Sequence, residues 1–206
     1  MYTRPFDAIL CDLDGVLRQW DVPGMNELDL AYELPAGTLA AAAFAPVRLL
    51  PAITGDHTDE QWRAAVADDL TEVCGSRKRA QALVAEWSAL IGRVDDVVAD
   101  LLTQARAHMP AVLVTNATTK LEADLDALGI ADLVDDVVSS ARLGFAKPDP
   151  RIYSVAANRA NVPLNRCLFV DDSVKNIKAA HAVGMTVVHY RDSRQLRDVL
   201  APVLGI

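Results

Sequence analysis

The chain has 206 residues and carries 28 Asp and Glu against 20 Lys and Arg, a formal charge of −8 at pH 7, with 51% hydrophobic residues. That length can bury a true core. The acidity leaves no basic stripe for nucleic acid or anionic lipid, and no apolar run approaches the ~20 residues of a membrane-spanning helix. Cys11, Cys74 and Cys167 show no CxxC or Cys/His spacing, which argues against a disulfide framework or a zinc site. The start MYTRPFDAIL lacks the run and cleavage site of a secretory signal, so a cytoplasmic location is expected.

In chain order, the first predicted element is a strand over residues 6–11, an apolar run that drives straight into Asp12 and Asp14 in FDAILCDLDGVL. Gly15 lets the chain turn away sharply and bring backbone N–H groups close to an anion. Residues 18–94 then break the rhythm of a sheet. They hold Trp20, Trp62 and Trp87, alanine-rich helical stretches, a segment bounded by Pro46 and Pro51, and a capping box in which Thr58 precedes Gln61. No strand is predicted there, and the alanine-rich run 39–44 reads as a buried intrachain helix in preference to a contact between two copies.

From residue 95 onward, strand-length apolar runs alternate with amphipathic helical patterns, as in a parallel α/β sheet. Strands are predicted at 111–115, 133–139, 166–170 and 186–190. Between them, Leu121, Leu125 and Leu128 keep helical spacing up to Gly129, and Asp149 with Pro150 starts a helix that turns Ile152, Val155 and Ala156 inward. Val174, Ile177 and Ala180 mark another helix closed by Gly184, and Ser193 is the expected cap of a last one carrying Leu196, Val199, Leu200 and Val203. The predicted architecture is α/β: a Rossmann-like parallel core from residues 1–17 and 95–206, with 18–94 as an inserted α-helical cap domain.

Ligands of such sheets bind beyond the carboxyl ends of the strands. Asp12 and Asp14, Thr115 and Asn116, and Asp171 and Asp172 all fall at such ends. Four carboxylates in one crevice resist ionisation unless a cation sits among them, and Mg²⁺, which prefers oxygen ligands, answers that need. One carboxylate can then attack phosphorus to form an aspartyl-phosphate, while another two residues on exchanges a proton with the leaving oxygen and later with water. Neighbouring negative charge is expected to keep that second acid protonated. Thr115 would hold a phosphoryl oxygen, helped by N–H groups near Asn116. Lys147 in GFAKPDPRIY is the candidate cation, and with Asp14 protonated its charge and that of Mg²⁺ balance the three remaining carboxylates.

DLDGV at 12–16, VLVTN at 112–116, GFAKPDPRIY at 144–153 and CLFVDDSVKNIKAAHAVGM at 167–185 resemble, in order, the four motifs of the haloacid dehalogenase (HAD) superfamily. The resemblance implies a phosphatase-type hydrolase with Mg²⁺ as cofactor. It implies Asp12 as nucleophile and metal ligand, and Asp14 as general acid/base whose backbone carbonyl also touches the metal. Thr115, Asn116 and Lys147 then bind the phosphate, Asp172 ligates the metal, Asp171 acts behind it or through water, and Asn176 orients Asp172 or Lys147. A phosphomutase of the same superfamily and a catalytically silent binding or regulatory module are the alternatives. Displacement of halide is disfavoured because the family's dehalogenases lack the second aspartate of DLD. The expected partner is a small phosphate ester, sugar phosphates first, with neither nucleic acid nor membrane. Arg18, Trp20, His57 and Trp62 are the cap residues weighed for substrate contact; for Trp62 core packing is preferred, and for Arg18 a surface salt bridge is equally expected. Hinges are expected at 16–20 and 93–96.

Overall fold

The computed structural model describes residues 4–20 and 22–205. Five parallel strands form one sheet in the order β5-β4-β1-β6-β7: β1 (Ala8–Cys11), β4 (Ala111–Thr115), β5 (Asp136–Ser139), β6 (Cys167–Asp171) and β7 (Thr186–His189). β1 lies at the centre and is buried throughout, which is why its sequence is continuously apolar and not alternating. Successive side chains still point to opposite faces. Ile9 and Cys11 pack with helices α6 (Asp96–Arg106), α7 (Leu121–Leu128) and α11 (Ser193–Leu204), whereas Ala8 and Leu10 pack with α9 (Pro150–Arg159) and α10 (Val174–Ala182). The predicted α/β class is the observed one.

Strand ends differ from expectation by one to three residues, each for a local reason. Leu133 and Val134 are apolar because they pack against the core from a bend, not because they are extended, so β5 starts only at Asp136 and leads into the short helix α8 (Ser140–Leu143). Phe6 is likewise core without being strand, and Arg166 closes a 3-10 turn, Leu164–Arg166, and binds the Asp7 carboxylate. β6 runs one residue further than predicted, so that Asp171 lies within the sheet, paired with His189. The last helix is capped by Asp192, which accepts from the N–H groups of Arg194 and Gln195, and the expected cap Ser193 is its first residue. Gly129 and Gly184 adopt the left-handed backbone expected of helix ends.

Residues 18–94 are mainly helical: α1 (Val22–Ala31), α2 (Thr38–Ala43), α3 (Pro46–Ile53), α4 (Asp59–Asp69) and α5 (Arg77–Ser88). These helices bury a cluster of their own that includes Leu39, Ala43, Trp62, Val66, Leu83 and Trp87. The run 39–44 therefore supplies intrachain core, and the capping box of Thr58 and Gln61 is present at the start of α4. The expectation of no strand here is corrected. β2 (Arg18–Gln19) and β3 (Arg93–Val94) pair antiparallel where the chain leaves and re-enters the sheet layer. Two residues are too few for a periodic signal, and their partners lie some seventy positions apart.

Candidate active site

Because β1 lies between β4 and β6, the chain after Cys11, the end of β4 and the end of β6 are brought side by side. Asp12, Asp171 and Asp172 each offer a carboxylate oxygen, and these oxygens all lie within 4.8 Å of one another. Lys147 enters from the loop before α9 with its ammonium 2.7 Å from Asp12 Oδ1 and 2.8 Å from Asp171 Oδ2. Its side chain is 1% exposed. Lys147 is held in place through its backbone: Asn116 accepts from the Lys147 N–H at 2.7 Å and donates to its carbonyl at 2.9 Å. The Asn116 side-chain amide thus positions the lysine.

The acidic pair is not symmetric. Asp171 is fully buried, and its oxygens accept from Lys147, the Ser173 N–H and the side-chain amide of Asn176. Asn176 therefore orients Asp171 rather than Asp172 or Lys147, and it is buried, not a helix-surface asparagine. Among the described residues no other side chain bonds to the Asp172 carboxylate, which is free for a ligand. Gly15 makes room for it. At Gly15, where φ is +80°, an added Cβ would overlap the Asp172 carboxylate and lie 2.8 Å from its Cγ.

Burial raises the pKa of Asp12 well above the ordinary carboxylate value, with Asp171 adding to the shift and Lys147 opposing it. Burial and then Asp171 raise Asp172 as well. Burial works against the Lys147 ammonium too, yet Asp12 and Asp171 outweigh it and hold its pKa above the usual value. Three carboxylates thus share one cation. Oxygen donors so crowded and so under-neutralised fit a hard divalent ion such as Mg²⁺. The Thr115 hydroxyl, buried at the end of β4, has no hydrogen-bond partner, and a buried hydroxyl left alone is costly unless a ligand completes it.

Asp14 stands apart from this group. Its carboxylate binds Arg18 through Nε at 2.7 Å and Nη2 at 3.0 Å, and accepts from Trp20 Nε1 at 2.6 Å. These donors, one of them a cation, are what the Asp14 carboxylate meets directly. Arg18 is no surface residue: it is 4% exposed, stacks on Trp20 at 4.4 Å and binds Asp124 of α7 at 2.9 Å. Lys120 also binds Asp124. Trp62 packs in the helical core and donates to the Ala43 carbonyl, and His57 is exposed.

Sequence reasoning missed Asp59, which ties the helical block to the loop after β4. Its backbone N–H donates to Thr119, one carboxylate oxygen accepts from Thr118 at 2.8 Å and the other from Arg63 at 2.6 Å. An acid in the first turn of a helix is ordinarily a solvent-facing residue that favours the helix dipole, so nothing marked this one as buried. Asp14, Arg18, Asp59, Arg63, Asn116 and Asp124 border a cavity of about 420 Å³ between the helical block and the carboxyl ends of the strands.

A family model for haloacid dehalogenase-like hydrolases matches residues 6–184. A phosphatase from Mycobacterium tuberculosis (strain CDC 1551 / Oshkosh) is 32% identical over 126 residues, which are 60% of this chain and 58% of that one. A phosphoglycolate phosphatase of Xanthomonas campestris pv. campestris (strain 8004) is 31% identical over 191 residues, covering 88% of this chain and 81% of that one. The chain thus spans little more than half the length of the mycobacterial relative. Among solved structures, a HAD family enzyme from Bacteroides thetaiotaomicron, in complex with magnesium and inorganic phosphate, superposes with a TM-score of 0.71 at 21% identity, over 90% of this chain and 94% of that one. At that identity the likeness concerns the fold. The four motifs, the order of the strands and the matched span agree, and the chain belongs to the haloacid dehalogenase-like hydrolases.

Proposed function

We propose that the protein is a Mg²⁺-dependent phosphomonoester hydrolase working through an aspartyl-phosphate at Asp12. The observation that carries this reading is the excess of three carboxylates over one ammonium beside an unpartnered buried threonine hydroxyl. Phosphatase relatives of similar sequence support it. Asp12, Asp172 and the backbone carbonyl of Asp14 would hold Mg²⁺, with Asp171 fixed behind them by Lys147 and Asn176. When bound, the ion offsets the carboxylate charge and draws electron density from the phosphoryl group.

Asp12 Oδ1 faces Lys147 and accepts from the Leu13 N–H at 2.7 Å, which leaves Oδ2 as the attacking atom. Oδ2 bonds to phosphorus as the ester P–O bond breaks, and Asp14 delivers its proton to the departing alkoxide. To carry that proton Asp14 must part from Arg18. Water next attacks the phosphorus and gives its own proton to Asp14, releasing inorganic phosphate and restoring Asp12. Lys147 and Thr115 hold phosphoryl oxygens throughout, where fixed donors need no reorganisation.

Residues 18–94 serve as the cap domain over the core formed by 1–17 and 95–206, and the β2–β3 ladder is the hinge through which it moves. The test is hydrolysis of p-nitrophenyl phosphate with and without Mg²⁺. Wild type turns over with the metal and is silent after chelation. Turnover by Asp12→Asn would overturn the mechanism.

A further inference from the structure

The cavity beside Asp14 and Asn116 is walled mainly by apolar side chains. Its walls are Phe44, Leu49, Ile53, Trp62, Trp87 and Leu90, and all three tryptophans of the chain border it. Its volume, about 420 Å³, falls in the range of small-molecule pockets, ~300–1,000 Å³. The charged groups on its rim are already committed: Asp14 and Asp124 to Arg18, and Asp59 to Arg63. A polyol placed here would bury hydroxyls against aromatic and alkyl walls with few partners, which is unfavourable. A second anionic group would find Arg18 already held by two carboxylates and Arg63 by one. One polar contact is open: Arg63 Nη1 is buried and without a partner, while its guanidinium lies 4.4 Å above the Trp87 ring.

From this we infer that the enzyme's substrates are phosphomonoesters of hydrophobic alcohols, the apolar body filling the cavity and the phosphate lying at the strand ends. The inference deepens the phosphatase reading and rests on it for the position of the phosphate. It ranks such esters above the sugar phosphates expected from sequence. Arg63 Nη1 would serve an oxygen on the far end of the alcohol.

Two measurements keep the cavity and the chemistry apart. First, kcat/KM is compared for 1-naphthyl phosphate, glucose 6-phosphate and phosphoglycolate at saturating Mg²⁺. At least a tenfold preference for the naphthyl ester is expected, and equal or better use of either polar ester overturns the inference while leaving the phosphatase reading intact. Second, titration with 1-naphthol, which needs no catalysis, should quench tryptophan emission saturably in wild type. Phe44→Ser and, as a variant remote from the ring cluster, Ile53→Ser should each weaken that quenching several-fold and lower kcat/KM for 1-naphthyl phosphate at least five times more than for acetyl phosphate. Failure of all esters to turn over, with quenching preserved, sinks the phosphatase reading but keeps an apolar binding cavity. Absence of saturable quenching in wild type overturns the cavity's assignment.

Discussion

Around Lys147, three carboxylates from two adjacent strand ends face one ammonium. Some residues away, Asp14, Asp59 and Asp124 face Arg18, Arg63 and Lys120, one cation for each acid. The side-chain types are alike, but the balance is not. The first group is under-neutralised as protein alone, a deficit that fits a divalent cation. In the second each acid has a cation; most of these pairs lie within one segment, while the Arg18–Asp124 pair and the bonds of Asp59 to Thr118 and Thr119 tie the helical block to the core. The deficit of the first group leaves room for a cation, whereas the paired acids of the second line the cavity and help tie the helical block to the strands.

The contrast can be broken in several ways. The largest effect is expected for Asp12→Asn, which should lower hydrolysis of p-nitrophenyl phosphate on the order of 10⁴-fold or more. Because it removes one of three crowded charges, the metal-free variant should be no less stable than wild type by urea unfolding. A clear loss of stability would mean that the group is balanced after all. Lys147→Met should act in the opposite sense. It strips the ammonium from buried carboxylates and should cost about 3–5 kcal/mol by urea unfolding, a loss that added Mg²⁺ partly reverses.

Mg²⁺ itself should stabilise wild type by about 2.7 kcal/mol at a hundred times its Kd, seen as a rise in Tm. No rise, with chelator or without, would remove the metal from the account. Asp59→Ala belongs to the balanced group. It unpairs Arg63 and Thr118 and should cost about 1–3 kcal/mol, and Mg²⁺ should give it the same increment as wild type, which separates the two groups energetically.

The smallest effect lies outside both groups. At Asp135, burial tends to raise the pKa, but the Ala111 N–H and Arg106 outweigh it and hold the carboxyl below its ordinary value. A depressed carboxyl adds stability above its unfolded pKa and loses it as pH falls through the folded one. Asp135→Asn should therefore lower the urea midpoint slightly at pH 7, and the difference from wild type should vanish towards pH 3.

Much of this was legible in one dimension. Chain order, apolar strands ending in acids, caps and glycine stops are local facts of covalent spacing, so the parallel sheet, the helical insertion and the set Asp12, Thr115, Lys147, Asp171 and Asp172 could be read from the sequence. Contacts across the fold could not be. Asn116 turning to the Lys147 backbone, Asn176 choosing Asp171, Arg18 buried between Asp14 and Asp124, and the aromatic walls that Trp62 and Trp87 share between core and cavity depend on which surfaces meet when two layers pack. Hydrophobic periodicity says that a face is covered, but not by what. The residue types at the strand ends were therefore determined by sequence, while the tertiary structure alone decided which acids are satisfied, which are left in want of a cation, and which side chains wall the cavity beside them.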